Sequence, residues 1–342
     1  MFTRRRFLKQ TAFASAALHI PVSIEKLNNA DGKIMTVNGA IEATGLGFTL
    51  SHEHVLVDFI GADNFSRNRY DPDDVFKVAL PFLEEAKKKG CDSFVECTPA
   101  YLGRDPLLLQ RLSKASGLNM ITNTGFYGAS GEKYLPRFVY RESSEQIAAR
   151  WITEWAEGIE GSGVKPGFIK TGVDKSPLTH TLRKMIDAAA ITHLATGLTI
   201  GVHTGDGKAA EEQLEILKSR GVAPHARIWI HAQNEKNPIL HIEAAKKGSW
   251  ISFDGVNSDS IRENIQFLQT MKKKKLLDRV LVSQDSGWYH VGESGGGDYK
   301  RYTSIFQEFI PALENAGFTK EEIHLILVTN PSRAFTIGVR KI

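Results

Sequence analysis

After residue 47 the apolar and polar positions settle into a repeating alternation. A short run rich in β-branched and aromatic residues is followed each time by a longer amphipathic stretch, the pattern of successive βα units. The predicted strands are TLSHEHVLVD, SFVECT, MITNTGFY, GFIKTGV, LTIGVHTG, RIWIHAQ, SWISFDG and RVLVSQDS, eight in all. Between them lie predicted helices such as DPDDVFKVALPFLEEAKKKG, DPLLLQRLSKASG, EQIAARWITEWAEGI, LRKMIDAAAITHLATG, AAEEQLEILKSRG and SIRENIQFLQTMKKKK. Several open on Asp-Pro or close on Gly, as helix ends favour. A final pair, TSIFQEFIPALENAG and KEEIHLILVTN, supplies the eighth outer helix and an extra one. Eight such units predict an α/β chain folded as a (β/α)8 TIM barrel, whose site lies at the carboxyl ends of the strands. An open doubly wound sheet would want a glycine-rich phosphate loop after its first strand, and none is there. ESGGGDY comes late and reads as a flexible loop.

The first of these strands raises a chemical question, because His52 and His54 flank Glu53 inside an apolar run. Alternate residues of a strand share a face, so the two imidazoles point one way and the glutamate the other. Two core histidines satisfied by backbone would look the same as a pair of metal ligands. Four other strands carry a candidate ligand toward their carboxyl ends: Lys170 in strand four, His203 in five, His231 in six and Asp285 in eight. Singly, each has an ordinary structural explanation, such as a strand-end cap or a lysine reaching solvent. In a barrel all these ends ring one mouth, and four imidazoles, a carboxylate and a lysine converging by chance is a poor account.

Composition narrows the picture only at its edges. With 342 residues, 42% hydrophobic and 24% charged, the chain is ordinary for a globular protein. The net charge of +4 is spread along it, so no nucleic-acid footprint is expected. Cys91 and Cys97 stand at the two ends of one predicted strand, roughly 20 Å apart, too far for a disulfide. They are expected to be free, buried thiols. The N-terminus, TRRRFLKQTAFASAALHIPV, resembles a twin-arginine export signal: Thr3, Arg4, Arg5, Arg6, Phe7, Leu8 and Lys9 fill that pattern. Its apolar stretch is too short for a stable membrane anchor. Residues 1–30 are therefore read as an export signal, cleaved on the way to the periplasm, and 31–342 as a single (β/α)8 domain.

From IMTVNGAIEATGLGFTLSHEH through GRD, NTGFY, GFIKTG, GVHTG, IHAQ and SQDS to NPSRAF, the sequence resembles the phosphotriesterase-related proteins of the amidohydrolase superfamily, and in particular their lactonases. That resemblance implies two divalent metal ions: His52, His54 and Asp285 would hold one, His203 and His231 the other, and Lys170 would bridge both as an N6-carboxylated side chain. An ammonium beside two dications is untenable, so its pKa must fall, and a neutral amine can add carbon dioxide. Mixed nitrogen and oxygen ligands suggest zinc, with manganese, cobalt or iron in other preparations. A two-metal site activates water and polarises a carbonyl or phosphoryl oxygen; Asp285 is expected to accept the proton. One departure is HAQNEKN in strand six, where relatives often place an aspartate after the histidine.

Tyr127 stands where lactone-hydrolysing relatives keep a tyrosine near the metals. The segment after strand eight, GWYHVGESGGGDYKRY, is long, and its glycines and aromatics suggest a substrate lid in which Trp288 and Tyr289 meet the substrate. The expected partner is a small ester or lactone, with a homodimer as the macromolecular association open to the chain. A true phosphotriesterase, a cyclic-amide hydrolase and an exported binding protein on an inactive barrel remain as competing readings.

Overall fold

The computed structural model describes residues 32–342, so the export pattern of residues 1–30 lies outside the described residues. A hairpin of β1 (Lys33–Thr36) and β2 (Gly39–Glu42) leads into the first barrel strand, β3 (Thr49–Glu53), and the short β4 (Leu56–Val57). There follow α1 (Pro72–Lys88), β5 (Ser93–Glu96), α2 (Pro106–Ser116), β6 (Asn119–Ile121), β7 (Asn123–Thr124) and α3 (Ser144–Glu157). The second half carries β8 (Phe168–Val173), α4 (His180–Thr196), β9 (Thr199–Thr204), α5 (Gly207–Ser219), β10 (Arg227–Ile230), α6 (Pro238–Lys246), β11 (Trp250–Phe253), α7 (Ile261–Lys273) and β12 (Val280–Val282). After β13 (Tyr289–His290) the chain ends in α8 (Ile310–Asn315), α9 (Lys320–His324) and α10 (Asn330–Phe335).

Strand pairing is parallel throughout the staves, in the orders β3-β5-β6 and β7-β8-β9-β10-β11-β12, with β6 and β7 forming one stave interrupted at Thr122. The ring closes between its ends: Asp285 N–H donates to His52 C=O at 3.1 Å, and His54 N–H to Ser286 C=O at 2.9 Å. The eight expected staves of the TIM barrel are thus all present. Their helices start where short acceptors permit it: Asp71, Asp105, Ser143, Thr179, Asp206 and Asn237 each accept from a backbone N–H of the first turn. Not foreseen were the β1–β2 hairpin, α6, β13 and α10.

Two large apolar clusters fill the space between staves and helices, and a third fills the barrel itself. The third contains Val95, Cys97, Phe168, Ile228, Ile230 and Leu281 from the staves. Ile34 from the hairpin and Ala334 and Phe335 from α10 join it, sealing one end. That leaves only the carboxyl ends of the strands open. Cys91 and Cys97 are free and buried as expected. Among the described residues no helix is long and apolar enough to cross a membrane.

Candidate metal centre

At the open end, one cavity of about 120 Å³ is lined by His52, His54, Cys97, Tyr127, Lys170, His203, His231, Asp285 and Trp288, together with Phe59, Pro99, Leu102, Ser130 and Tyr134. All six residues singled out as ligands therefore face one space. β3 shifts register against β5 between Leu50 and Glu53, the kind of irregularity that re-aims side chains beside active sites. Three neighbouring residues hold positive φ without being glycine: His231 at 59°, Asp285 at 55° and Trp288 at 76°. Such conformations cost of order 1–3 kcal/mol each and persist where the surroundings enforce them. Gly287, between two of them, has to be glycine, since a Cβ there would sit 1.8 Å from the His54 carbonyl oxygen.

The donor atoms are spaced as a cation requires. His54 Nε2 lies 3.1 Å from Asp285 Oδ1, His52 Nε2 3.6 Å from the same oxygen, and His231 Nε2 3.9 Å from Asp285 Oδ2. A tetrahedral ion with bonds of about 2.1 Å sets its ligands about 3.4 Å apart. Both ring nitrogens of His52 and Oδ1 of Asp285 are buried without a hydrogen-bond partner, which is costly unless something else binds them. His203 packs edge-on against His231 with ring centroids 4.6 Å apart, and His231 lies 4.8 Å from His52. The residues present fit a divalent cation at His52, His54 and Asp285, with His203, His231 and Lys170 beside it.

Electrostatics agree with that fit, because every base here is held in its metal-binding form. Burial, then the charge of neighbouring His231 and Lys170, drives His52 well below the usual imidazole range, and burial does the same to His203. His231 falls to about 4, chiefly through burial. Burial opposes ionisation of Asp285, but the close His54 imidazole and the charges of His231 and Lys170 outweigh it and lower its pKa. Lys170, 2% exposed, is pushed down by desolvation, against the pull of Cys97 and nearby carboxylates.

Residues outside the expected set orient the ligands. His54 Nδ1 is 2.7 Å from Thr98 Oγ1, which fixes its ring. Glu53 does point away: it accepts from Ser283 Oγ at 2.6 Å, Gln284 N at 3.0 Å and Ser286 N at 2.7 Å, holding the turn that carries Asp285. Asp254, at the end of β11, was missed by sequence reasoning. It accepts from His231 N at 2.8 Å and from Ser252 Oγ, and its Oδ2 lies 3.6 Å from His231 Nδ1 and 3.9 Å from His52 Nδ1. Its signal was available, a carboxylate ending the one late strand that offered no other ligand. Gln233, in the divergent HAQNEKN stretch, accepts from Asp254 N at 3.1 Å, so it serves this support. Asp254→Ala should weaken metal binding about 10–100-fold, as loss of an orienting partner does; competition against a chromogenic chelator measures it.

Two expectations about the mouth need correction. Tyr289 does not line the cavity: Trp288 and His290 turn toward Phe59, with ring centroids 5.8 and 5.5 Å from it. Tyr289, between them in β13, packs on the outer apolar cluster and against Gly296. Alternation along β13 puts Tyr289 and His290 on opposite faces. Nor is the segment built as a free lid, because β13 pairs with β4 and Tyr302 OH donates to the His54 carbonyl at 2.6 Å. Tyr127 and Trp288 stand at the cavity as expected, and Phe59 and Tyr134 are additions.

A sequence model of the phosphotriesterase family matches residues 32–335. A phosphotriesterase homology protein of Escherichia coli is 28% identical over 295 residues, covering 84% of this chain and 98% of that one. An aryldialkylphosphatase of Saccharolobus solfataricus is 29% identical over 308 residues (87% and 97%), and an N-acetyltaurine hydrolase of Dictyostelium discoideum 26% over 370 (90% and 98%). Among solved structures, an organophosphorus hydrolase from Deinococcus radiodurans superposes with a TM-score of 0.81 at 28% identity, covering 90% of this chain and 98% of that one. Another, described as organophosphate hydrolysis engineered from a weak promiscuous lactonase template, gives 0.80 at 29%, with 89% and 99% covered.

Proposed function

Since the chain belongs to the phosphotriesterase family of hydrolases, we propose that it is a binuclear-metal hydrolase of carboxylic esters, with lactones as its best substrates and organophosphate triesters as slower ones. The observation that carries this reading is the cavity of about 120 Å³ walled by Phe59, Leu102, Tyr127, Tyr134 and Trp288. Drug-sized ligands occupy roughly 300–1,000 Å³, so a compact ring fits inside while three ester arms would not. An N-acetylated sulfonate would want a fixed cation. Lys170 is the one lysine or arginine among the lining residues, and it belongs to the metal centre in this reading.

Two divalent ions, zinc by the donor set with manganese, cobalt or iron as substitutes, would supply Lewis acidity and an activated water. His52, His54 and Asp285 would hold one and His203 and His231 the other, with Lys170 between them as a carbamate. Asp285 accepts the nucleophile's proton, its lowered pKa keeping it ionised at neutral pH. Tyr127 binds and orients. Burial, then the charges of Asp285 and Asp174, holds its phenol protonated far above neutrality, so it donates to a lactone's oxygen as charge builds. The aromatic wall excludes water from the ring.

Tyr127→Phe should lower kcat/KM for lactones about 10²-fold, in line with removing one positioned donor from a dry site, while aryl triesters change little. Steady-state kinetics on both substrate sets test it. Triesters turned over tenfold faster than lactones, or lactone turnover indifferent to the phenol, would leave the lactone reading without support.

A further inference from the structure

His54 is held by the seam at which the barrel closes. It follows Glu53, the last residue of β3, so its peptide groups lie beyond that strand's ladder. They are fixed across the seam instead. The His54 N–H donates to Ser286 C=O at 2.9 Å, and its C=O accepts from Tyr302 OH at 2.6 Å. Ser286 follows Asp285, whose Oδ1 stands 3.1 Å from His54 Nε2. The two side chains that would share one cation therefore ride on stretches of main chain joined to each other at this point.

Tyr302 is itself set in place from several sides. It is fully buried, and its ring meets Phe94 of β5 edge-on, with centroids 5.0 Å apart. Lys300 N–H donates to Gly287 C=O at 2.8 Å and Lys300 C=O accepts from Gly287 N–H at 3.2 Å, which ties this stretch to the turn after Asp285. Tyr299 stacks on Phe82 of α1, with centroids 4.8 Å apart, and Arg301 Nη1 donates to both carboxylate oxygens of Glu85 on the same helix, at 2.6 and 2.8 Å. The hydroxyls of Tyr299 and Tyr302 are hydrogen-bonded to each other. A carbonyl oxygen can only accept, so the Tyr302 proton goes to His54 and Tyr299 donates to Tyr302. The chain of donors thus runs from Tyr299, packed on α1, through Tyr302 to His54. Each bond in such a chain polarises the next. The contact is close: a Cβ at Gly287 would stand 1.8 Å from the His54 carbonyl oxygen and 2.3 Å from Tyr302 OH.

We infer that Tyr302, seated by Tyr299, is a positioning residue for the cation at His52, His54 and Asp285: it fixes the His54 main chain, and through it the separation between the His54 ring and Asp285. The inference rests on the two-cation reading of the cavity and adds that the two ions are supported differently. Thr98 orients the His54 ring through Nδ1, and Tyr302 holds the backbone that carries the ring. His203 stands on β9 and His231 follows β10, both away from the seam, so the second ion does not depend on this pair of phenols.

Stepwise affinities for cobalt(II), measured by competition against a chromogenic chelator on the wild type, Tyr302→Phe and Tyr299→Phe, test this. Phenylalanine keeps each ring and removes only the hydroxyl. Tyr302→Phe is expected to weaken one of the two bound equivalents about 10-fold or more, as loss of an orienting partner does. The other equivalent should be unchanged, and the visible absorption of the bound cobalt should alter. Tyr299→Phe leaves the bond to His54 in place and should weaken the same equivalent less, about threefold. A lower Tm with both affinities and the absorption unchanged would give the phenols a purely structural part and overturn the inference, and so would equal weakening of both equivalents. Should Tyr302→Phe not fold, Tyr299→Phe decides: selective weakening supports the inference and none overturns it. A wild type that binds no cobalt would remove the metal reading as well, whereas a wild type that binds two, matched by its variants, would remove the inference alone.

Discussion

Lys170→Ala is expected to abolish hydrolysis, by about 10³-fold or more, while the barrel stays folded. The side chain rises from β8 into the metal cavity, and desolvation lowers its pKa, which favours the neutral amine. That amine can attack carbon dioxide at carbon, releasing one proton and leaving a carbamate anion with two oxygens for two cations. Losing a principal charged element from a dry site costs about 10²–10³ for a single donor, and here the bridge itself goes. Acetate or propionate should restore part of the rate by supplying the two oxygens. Lys170→Met keeps the volume and should be equally inactive, with Tm unchanged or raised, since a buried amine is exchanged for an apolar group. Full activity in either variant would make Lys170 a bystander.

Removing the metal should have an effect of similar size. Dialysis against a strong chelator should eliminate turnover, and restoration should need about two equivalents of divalent cation per chain, because six ligands exceed what one tetrahedral ion uses. His203→Ala should reduce the bound stoichiometry, read by elemental analysis, to about one. Acid should act in the same direction. The pKa of His231 lies at about 4 and those of His52 and His203 well below the usual value, so the unfolded chain binds more protons than the folded one. Stability contributed by these groups is present above about pH 6.5 and is lost as the pH falls toward their folded pKa values. Metal should be released over the same interval. Full activity at one metal per chain, or metal retention unchanged at pH 4.5, would defeat the two-ion site.

The elements legible from sequence were those whose periodicity reflects one environment. Eight staves buried on both faces read as apolar runs, and the helices capped by Asp71, Asp105 and Ser143 announced their starts. Helix α6 escaped because PILHIEAAK is short and apolar without a clear face. Strand β2 escaped because GAIE is largely exposed and has no alternation to show.

The site divides along the same line. His52, His54, Lys170, His203, His231 and Asp285 could be listed from the chain alone, because a barrel brings every strand's carboxyl end to one rim, whatever the details of packing. Sequence could not distinguish the neighbours Trp288 and Tyr289, because Tyr289 is turned outward by the pairing of β13 with β4 while Trp288 lies just before that strand. Nor could it assign Asp254, whose carboxylate matters through its place beneath His231 and His52. Periodicity along a chain records local environment. Which side chains meet across elements depends on register and closure, and these exist only once the barrel has closed.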